Sequence, residues 1–585
     1  MVKVAERSQK LISEFARSQM NGGQAGMHPE LAETGRARSV ADAFIALLTN
    51  LAGNQRRMMQ AQHALLSSYF DLWQSMTKRL LGEDATPVIE PARTDKRFRG
   101  EEWTSNVVFD YIKQSYLLTA NWLLDTVRDV EGLDPHQARL VEFHTRQFVD
   151  AISPSNFVLT NPEILRSTLE QNGENLVRGL ENLLSDLERG RGKLAIRMTD
   201  MDAFEIGKNI AITPGKVVYE NALMQLIQYT PTTDTVYERP LVIFPPWINK
   251  FYILDLTQEK SFIRWAVSKG YTVFVVSWVN PDEKLAQKTF ESYMTEGVYA
   301  ALDAIEQATG MREVNAIGYC IGGTLLGSSL AHMAAHGDDR IRSATFFAAQ
   351  MDFSEAGELD VFIDEPQLQD LERKMDSAGG YLAANEMAHM FNTLRSNDLI
   401  WSFVINNYLL GKDPAPFDLL YWNSDQTNMP KQMHLFYLRE CYLKNNLAKG
   451  KMKLGGETLD LGKVKIPIYL QSSQDDHIAP YRSVYKATKL FGGKNRFIIA
   501  GSGHIAGVIN PPSANKYCHW TNDALPDDVE QWFNDATQHP GSWWDDWHKW
   551  QSRKSGKKIP ARQPGDGKLP VIEDAPGRYV KVKGS

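Results

Sequence analysis

From Val40 to Leu81 the apolar residues recur at three- and four-residue steps. Phe44, Leu47, Leu48 and Leu51 make one stripe, and Leu65, Leu66, Tyr69, Trp73, Met76 and Leu80 continue it, the period of an amphipathic helix. Such a stripe packs into a core or against another helix. Lying well ahead of any catalytic signal, it could also serve a partner or an apolar surface. Pro87 to Gly100 reads as a linker, and Trp103–Val127 and Pro135–Ile152 as further helices. The proline-marked turn Ser153-Pro154-Ser155-Asn156-Phe157 follows. Ile164 to Leu187 completes a helical region, with Gly190 as a stop signal just beyond it.

Near Phe204 the texture changes. Lys216–Tyr229 is rich in Val, Leu, Ile and Tyr and predicts a strand or hairpin. Leu241–Phe244, Tyr271–Trp278, Val314–Ile317, Ile341–Ala348, Ile466–Ser472 and Arg496–Ala500 are short apolar runs. Helical patterns over Glu291–Gln307 and Thr324–Ala335 alternate with them. Apolar strands alternating with helices imply an α/β fold with a mostly parallel sheet covered on both faces, whose chemistry sits at the C-terminal ends of the strands. Met351 to Leu447 breaks the rhythm where hydrolase-like folds often insert a lid. It is rich in Trp, Tyr, Phe and Leu, apolar material that must be buried against the core, another subunit or an apolar substrate. The expected division is a helical N-terminal domain over 1–204, with about 1–40 mobile, and a catalytic domain over 205–585 carrying a cap over about 351–447.

A chain of 585 residues is too long for one core. A net charge of −7 argues against a nucleic-acid partner, and Arg553-Lys554-Ser555-Gly556-Lys557-Lys558 reads as a solvated tail rather than a phosphate-binding patch. The three cysteines, Cys320, Cys441 and Cys518, are too few and scattered for a disulfide framework or a zinc site, which fits a reducing cytoplasm. The first residues lack an apolar signal core, and no apolar run approaches the length of a membrane span.

The candidate chemistry centres on Val314-Asn315-Ala316-Ile317-Gly318-Tyr319-Cys320-Ile321-Gly322-Gly323-Thr324. A buried strand, a sharp turn of small residues and a helix form the G-x-S-x-G nucleophile elbow, here with cysteine in the serine position. A Cβ at Gly318 or Gly322 would crowd strand against helix, and the helix N-terminus at Cys320 favours a thiolate. In this fold an Asp or Glu and then a His follow the nucleophile. Ser472-Ser473-Gln474-Asp475-Asp476-His477 follows an apolar strand and offers Asp476, with Asp475 as its rival. Ala500-Gly501-Ser502-Gly503-His504 offers the base. His504 would take the Cys320 proton while Asp476 holds its tautomer. The backbone N–H groups of Ile321 and of the Pro246-Trp247-Ile248-Asn249 segment, Ile248 for choice, would form the oxyanion hole.

Other candidates are weaker. His332 and His336 stand four apart without the Glu of H-E-x-x-H, His477 reads as structural, and Cys441 and Cys518 lack a base or an elbow. Neither G-x-x-x-x-G-K-[ST] nor G-x-G-x-x-G occurs, so no nucleotide cofactor is supported, and no metal.

The chain resembles the class I polyhydroxyalkanoate synthases over nearly its whole length after about residue 95. The resemblance rests on Gly318-Tyr319-Cys320-Ile321-Gly322-Gly323-Thr324, on Pro245-Pro246-Trp247-Ile248-Asn249-Lys250-Phe251-Tyr252-Ile253-Leu254-Asp255-Leu256, and on Asn397-Asp398-Leu399-Ile400-Trp401. Pro416-Phe417-Asp418-Leu419-Leu420-Tyr421-Trp422-Asn423, Asp476-His477-Ile478, Gly503-His504-Ile505-Ala506-Gly507 and Gly541-Ser542-Trp543-Trp544 add to it. It implies an α/β-hydrolase core with a cap, a helical N-terminal domain, and a homodimer in the cytoplasm bound to polyester granules, with granule-associated proteins as possible partners. The implied reaction is polymerisation of (R)-3-hydroxyacyl-CoA, short-chain by class, with release of CoA and no cofactor. Cys320 would be the acylated nucleophile, His504 the base and Asp476 the third member. Two other readings share the elbow: a cysteine hydrolase or thioesterase on this fold, and a non-catalytic granule-coating protein. The cap and tail segments, which a small hydrolase does not need, speak against the first. The intact Cys320, Asp476 and His504 set speaks against the second.

Overall fold

A computed structural model describes residues 34–584 apart from Asp129, Glu131, Arg191 and Lys193. Most of the stretch expected to be mobile, 1–33, lies outside the described residues; from Thr34 onward the chain is helical. The chain forms two compact units. One comprises residues up to Asp200 together with Met390–Ala415, and the other Met201–His389 with Pro416–Ser585. Met390–Ala415 lies inside the expected cap, yet it belongs with the N-terminal helices.

The first unit is built on helices α1 (Thr34–Gly53), α2 (Gln55–Leu80), α3 (Val107–Val127), α4 (Pro135–Ala151), α5 (Pro162–Glu170) and α6 (Glu174–Arg189). The starts follow local chemistry. Asp134 caps α4 by accepting from the Gln137 N–H at 3.1 Å, with Pro135 in the first turn. The single helix expected over Ile164–Leu187 is broken because Asn172 and Gly173 turn to positive φ, +50° and +82°, which these two residue types tolerate. Phe98, Trp103, Tyr116, Leu117, Ala120 and Val149 form the core of this unit. Asp150 accepts from Ser396 Oγ at 3.1 Å and Asn397 Nδ2 at 2.7 Å, and Asp186 accepts from Tyr408 OH at 2.6 Å. These buried carboxylates tie Met390–Ala415 into the helical unit. The stripe on α2 is only partly buried. Leu72 and Met76 are covered, whereas Met59, Leu66, Trp73 and Leu80, at seven-residue steps, are 61–74 % exposed.

The second unit is organised by an 11-stranded sheet. In chain order its strands are β1 (Gly215–Glu220), β2 (Met224–Tyr229), β3 (Leu241–Phe244), β4 (Val273–Trp278), β5 (Val314–Tyr319), β6 (Ile341–Phe347), β7 (Ile468–Ser473), β8 (Asn495–Ala500), β9 (Cys518–Thr521), β10 (Thr537–Pro540) and β11 (Glu573–Asp574). Across the sheet they run β10-β9-β8-β7-β6-β5-β3-β4-β2-β1-β11. The strands from β8 to β4 are parallel neighbours, and both flanks are antiparallel. Strands β3, β4, β5 and β7 are buried along their whole length, which is why they read as largely apolar runs. After β4 the chain crosses back to the far side of β3, so β3 and β5 bracket the switch point where such sheets place their sites.

Candidate active site

The turn between β5 and helix α7 (Ile321–Ala335) puts Cys320 at φ +51°, ψ −125°. For a residue with a Cβ this is a strained conformation that persists only where its surroundings hold it. The Cys320 N–H donates to Phe347 O at 2.9 Å, and its carbonyl accepts from the Gly323 N–H at 2.8 Å and the Thr324 N–H at 3.1 Å. The glycines act as the motif requires. A Cβ on Gly318 would stand 2.5 Å from the Gly323 Cα, and one on Gly322 would collide with the carbonyls of Phe244 and Pro245. Ile321 is the first residue of α7, so its N–H has no acceptor within the helix.

Asp476 and His504 leave the ends of β7 and β8 and meet. His504 Nδ1 and Asp476 Oδ2 are 2.7 Å apart, with both side chains buried. The other carboxylate oxygen, Oδ1, accepts from the Ile478 N–H at 2.9 Å and the Ala479 N–H at 2.8 Å, so the carboxylate cannot rotate freely. Asp475, the rival, is exposed, and its N–H donates to Ser502 O at 3.0 Å. With Nδ1 engaged by Asp476, Nε2 is the ring nitrogen left for Cys320, which lies close enough to act on the imidazole. Burial pulls the His504 pKa down, but Asp476 and Cys320 together override it and push it up to about 10. A thiol, an imidazole and a buried carboxylate thus stand in line. Such a line can produce a nucleophilic sulfur and return a proton to a leaving group.

Comparison with known proteins bears on what that line serves. The family described as poly-beta-hydroxybutyrate polymerase (PhaC) N-terminus matches residues 94–266, and the alpha/beta hydrolase fold matches residues 240–511. The poly(3-hydroxyalkanoate) polymerase subunit PhaC of Rhizobium meliloti (strain 1021) is 53% identical over 90% of this chain and 86% of its own. This chain belongs to the poly(3-hydroxyalkanoate) polymerases. The Methylorubrum extorquens polymerase is 54% identical over 93% of this chain and 91% of its own, and the Cupriavidus necator PhaC subunit 42% over 89% and 88%. The chain is therefore an acyltransferase-type enzyme on an α/β-hydrolase fold.

Several residues around Cys320 and His504 carried no signal of their role in the sequence alone. Tyr437 and Tyr442, from the apolar insert, are buried, with their rings edge-on at 5.5 Å. Burial pushes both phenols well up, and nearby Cys320 adds to the shift. Both phenols therefore stay protonated and can donate. From the tail, helix α8 (Trp544–Ser552) and the residue before it support the histidine loop. Trp543 Nε1 donates to Gly507 O at 2.7 Å and Trp544 Nε1 to Val508 O at 2.9 Å, both rings being fully buried. The Gly541-Ser542-Trp543-Trp544 motif pointed to this segment without revealing its task.

The segment after β3 is held through its carbonyls. The Thr427 N–H donates to Ile248 O at 3.1 Å, and the Thr427 hydroxyl also donates to Trp247 O. Lys250 Nζ pairs with Asp425 at 2.7 Å, both buried. Trp247 itself packs on Tyr293 and Trp278 at ring separations of 4.5 and 5.6 Å. The remaining candidates have other surroundings. His332 Nδ1 shares a 2.8 Å hydrogen bond with Tyr299 OH, and the His477 carbonyl accepts from the Glu358 N–H at 3.0 Å. Cys441 is buried, its thiol pushed far up by that burial, and Cys518 accepts from Gln538 Nε2 at 3.2 Å. Among the described residues no group of three His, Cys, Asp or Glu side chains could hold a metal ion, and no helix is long and apolar enough to cross a membrane.

Proposed function

We propose that the polymerase joins (R)-3-hydroxyacyl units, short-chain ones such as 3-hydroxybutyryl, from their CoA thioesters through a covalent thioester on Cys320. The observation that carries the proposal is the pairing of His504 with a backbone-clamped Asp476 next to Cys320 in its strained elbow. In the first half-reaction the Cys320 sulfur attacks the thioester carbonyl while His504 holds the thiol proton. The C–S bond to CoA breaks, and the CoA sulfur leaves with that proton. In the second half-reaction the hydroxyl of another unit or chain gives its proton to His504 and attacks the acyl carbon. An ester bond forms and Cys320 is released. The negative charge on the carbonyl oxygen would be met by the N–H groups of Ile321 and Ile248.

Sulfur suits the task. Exchange between two thioesters is nearly thermoneutral, so the acyl group on Cys320 stays activated, whereas a serine oxoester would sit lower. Water must lose to the hydroxyl at each cycle, which gives the buried aromatic cap residues beside Cys320 their role. We read the helical region ahead of residue 205 as serving dimer formation, attachment to polyester granules in the cytoplasm, or both. The exposed Met59, Leu66, Trp73 and Leu80 on α2 support that reading.

Purified protein incubated with 3-hydroxybutyryl-CoA tests the proposal. Polymer plus free CoA is the expected outcome. Free acid plus CoA would make the chain a thioesterase, and no CoA release would leave a granule-coating role.

A further inference from the structure

At the opposite ends of β7 and β8 from Asp476 and His504, about 20 Å away along six-residue strands, lies a cavity of about 880 Å³. Its walls carry Lys494 and Arg496 from the start of β8, and Lys549, Trp550, Arg553 and Lys554 from α8 and its end. Lys549 and Arg553 are four apart and share one helix face. The Arg553–Lys558 cluster is thus no loose tail: its first two residues line the cavity, and Lys558–Pro560 is paired as a strand with Thr235–Tyr237.

The balance of charge there is uneven. Of the acids on the walls, Asp546 and Asp523 are taken by Arg496 at 2.6 and 2.8 Å, and Asp546 also accepts from Tyr469 OH. That leaves Asp535 facing four cations. Among the described residues the side chains of Lys494, Lys549 and Arg553 have no ion-pair or hydrogen-bond partner. Lys554 has only the Trp550 carbonyl, at 3.1 Å, and the Trp550 ring. Burial and then the neighbouring Arg553, Lys494 and Arg496 lower the Lys554 pKa to about 8. Lys494, Lys549 and Arg553 are exposed, but a half-buried Lys554 held beside them with no counter-charge marks a site that an anion completes.

We propose that this cavity binds a small molecule carrying two or three linked phosphates, which Lys494, Lys549, Arg553 and Lys554 engage. Its size fits a small-molecule site. Several point charges around a concavity suit a run of phosphates better than one planar carboxylate, and the net charge of −7 works against an extended polyanion. The same phosphate chain occurs in nucleotides and in CoA, and the two sources are separated by experiment.

Full-length protein is titrated with inorganic triphosphate by calorimetry at low and physiological salt, then in competition with ATP and with CoA. The expected result is one site per chain, weakened by salt. It should also weaken by roughly tenfold or more in Lys549→Ala/Arg553→Ala, whose polymerising activity and unfolding midpoint stay unchanged. Displacement by ATP alone, by CoA alone or by both supports the proposal and names the source. Triphosphate binding that neither displaces would mean an adventitious ion only and would overturn it. So would the absence of triphosphate binding, or equal binding by the double variant.

Discussion

Replacing Asp476 with Asn separates the two halves of the proposed mechanism, and the loop geometry says how. Asp476 Oδ1 accepts from two backbone N–H groups, Ile478 at 2.9 Å and Ala479 at 2.8 Å, while Oδ2 faces His504 Nδ1 at 2.7 Å. An Asn side chain must keep its carbonyl oxygen on those two donors. Its NH2 group then points at Nδ1 and forces the imidazole proton onto Nε2, the nitrogen facing Cys320. In that tautomer His504 cannot accept a proton. Turning the amide over would lose both hydrogen bonds at about 1–3 kcal/mol each, or about 2–6 kcal/mol in all. That is a loss of roughly 30- to 10⁴-fold in the productive population.

Acylation needs only a thiolate, which solvent base can supply increasingly as pH rises. Elongation needs a proton taken from an alcohol, which solvent base does not provide. A rapid-mix single turnover with labelled 3-hydroxybutyryl-CoA, followed at pH 7 and pH 9, resolves the two steps. Asp476→Asn should regain most of its acylation at pH 9 and accumulate acylated or short-chain enzyme, with elongation still depressed by two orders of magnitude or more. Equal slowing of both steps at both pH values would refute a separate role in elongation and leave Asp476 only the orientation of His504.

Cys320→Ala should abolish CoA release without unfolding the chain, and Cys320→Ser should keep little of it, since a serine hydroxyl is a poor nucleophile toward a thioester; CoA assays check both. Trp543→Ala empties a fully buried ring site and frees the Gly507 carbonyl, so a loss of about 3–5 kcal/mol should appear in denaturant unfolding. The raised His504 pKa stabilises the fold fully below the usual histidine value of about 6.5, a contribution lost as pH rises through about 10. The difference in unfolding midpoint between wild type and His504→Gln should therefore shrink between pH 7 and pH 11. A fragment starting near residue 205 removes Asp150 and Asp186, the partners of Ser396, Asn397 and Tyr408. It should lose polymer formation or granule targeting, measured by CoA release and granule sedimentation.

The placement of Cys320, Asp476 and His504 just past the ends of three strands of the main sheet was legible because such strands announce themselves as largely apolar runs bounded by small or polar residues. The choice between Asp475 and Asp476 was not legible, because it depends on which way a short loop turns after β7. Nor was the allegiance of Met390–Ala415. Its aromatic content says that it must be buried, but carboxylates more than 200 positions away in the chain, Asp150 and Asp186, decide where. On α2 the period of the stripe located the helix correctly, yet a three- and four-residue period does not reveal that Met59, Leu66, Trp73 and Leu80 face solvent. The support of the histidine loop by Trp543 and Trp544 rests on indole N–H groups reaching carbonyls some 36 residues earlier, a relation that no local pattern records.

Both margins of the main sheet are supplied by its last strands: β9 and β10 cover β8 on one side, and β11 covers β1 on the other. During synthesis, then, the ribosome delivers the strands that precede Cys320, Asp476 and His504 before it delivers the strands that flank the sheet. A nascent chain halted before Cys518 would expose the β8 backbone as a free edge, and one halted before Glu573 would still expose β1. Unpaired edges template association with other chains. A chain terminated before residue 574 would therefore present longer strand edges that the complete sheet keeps covered.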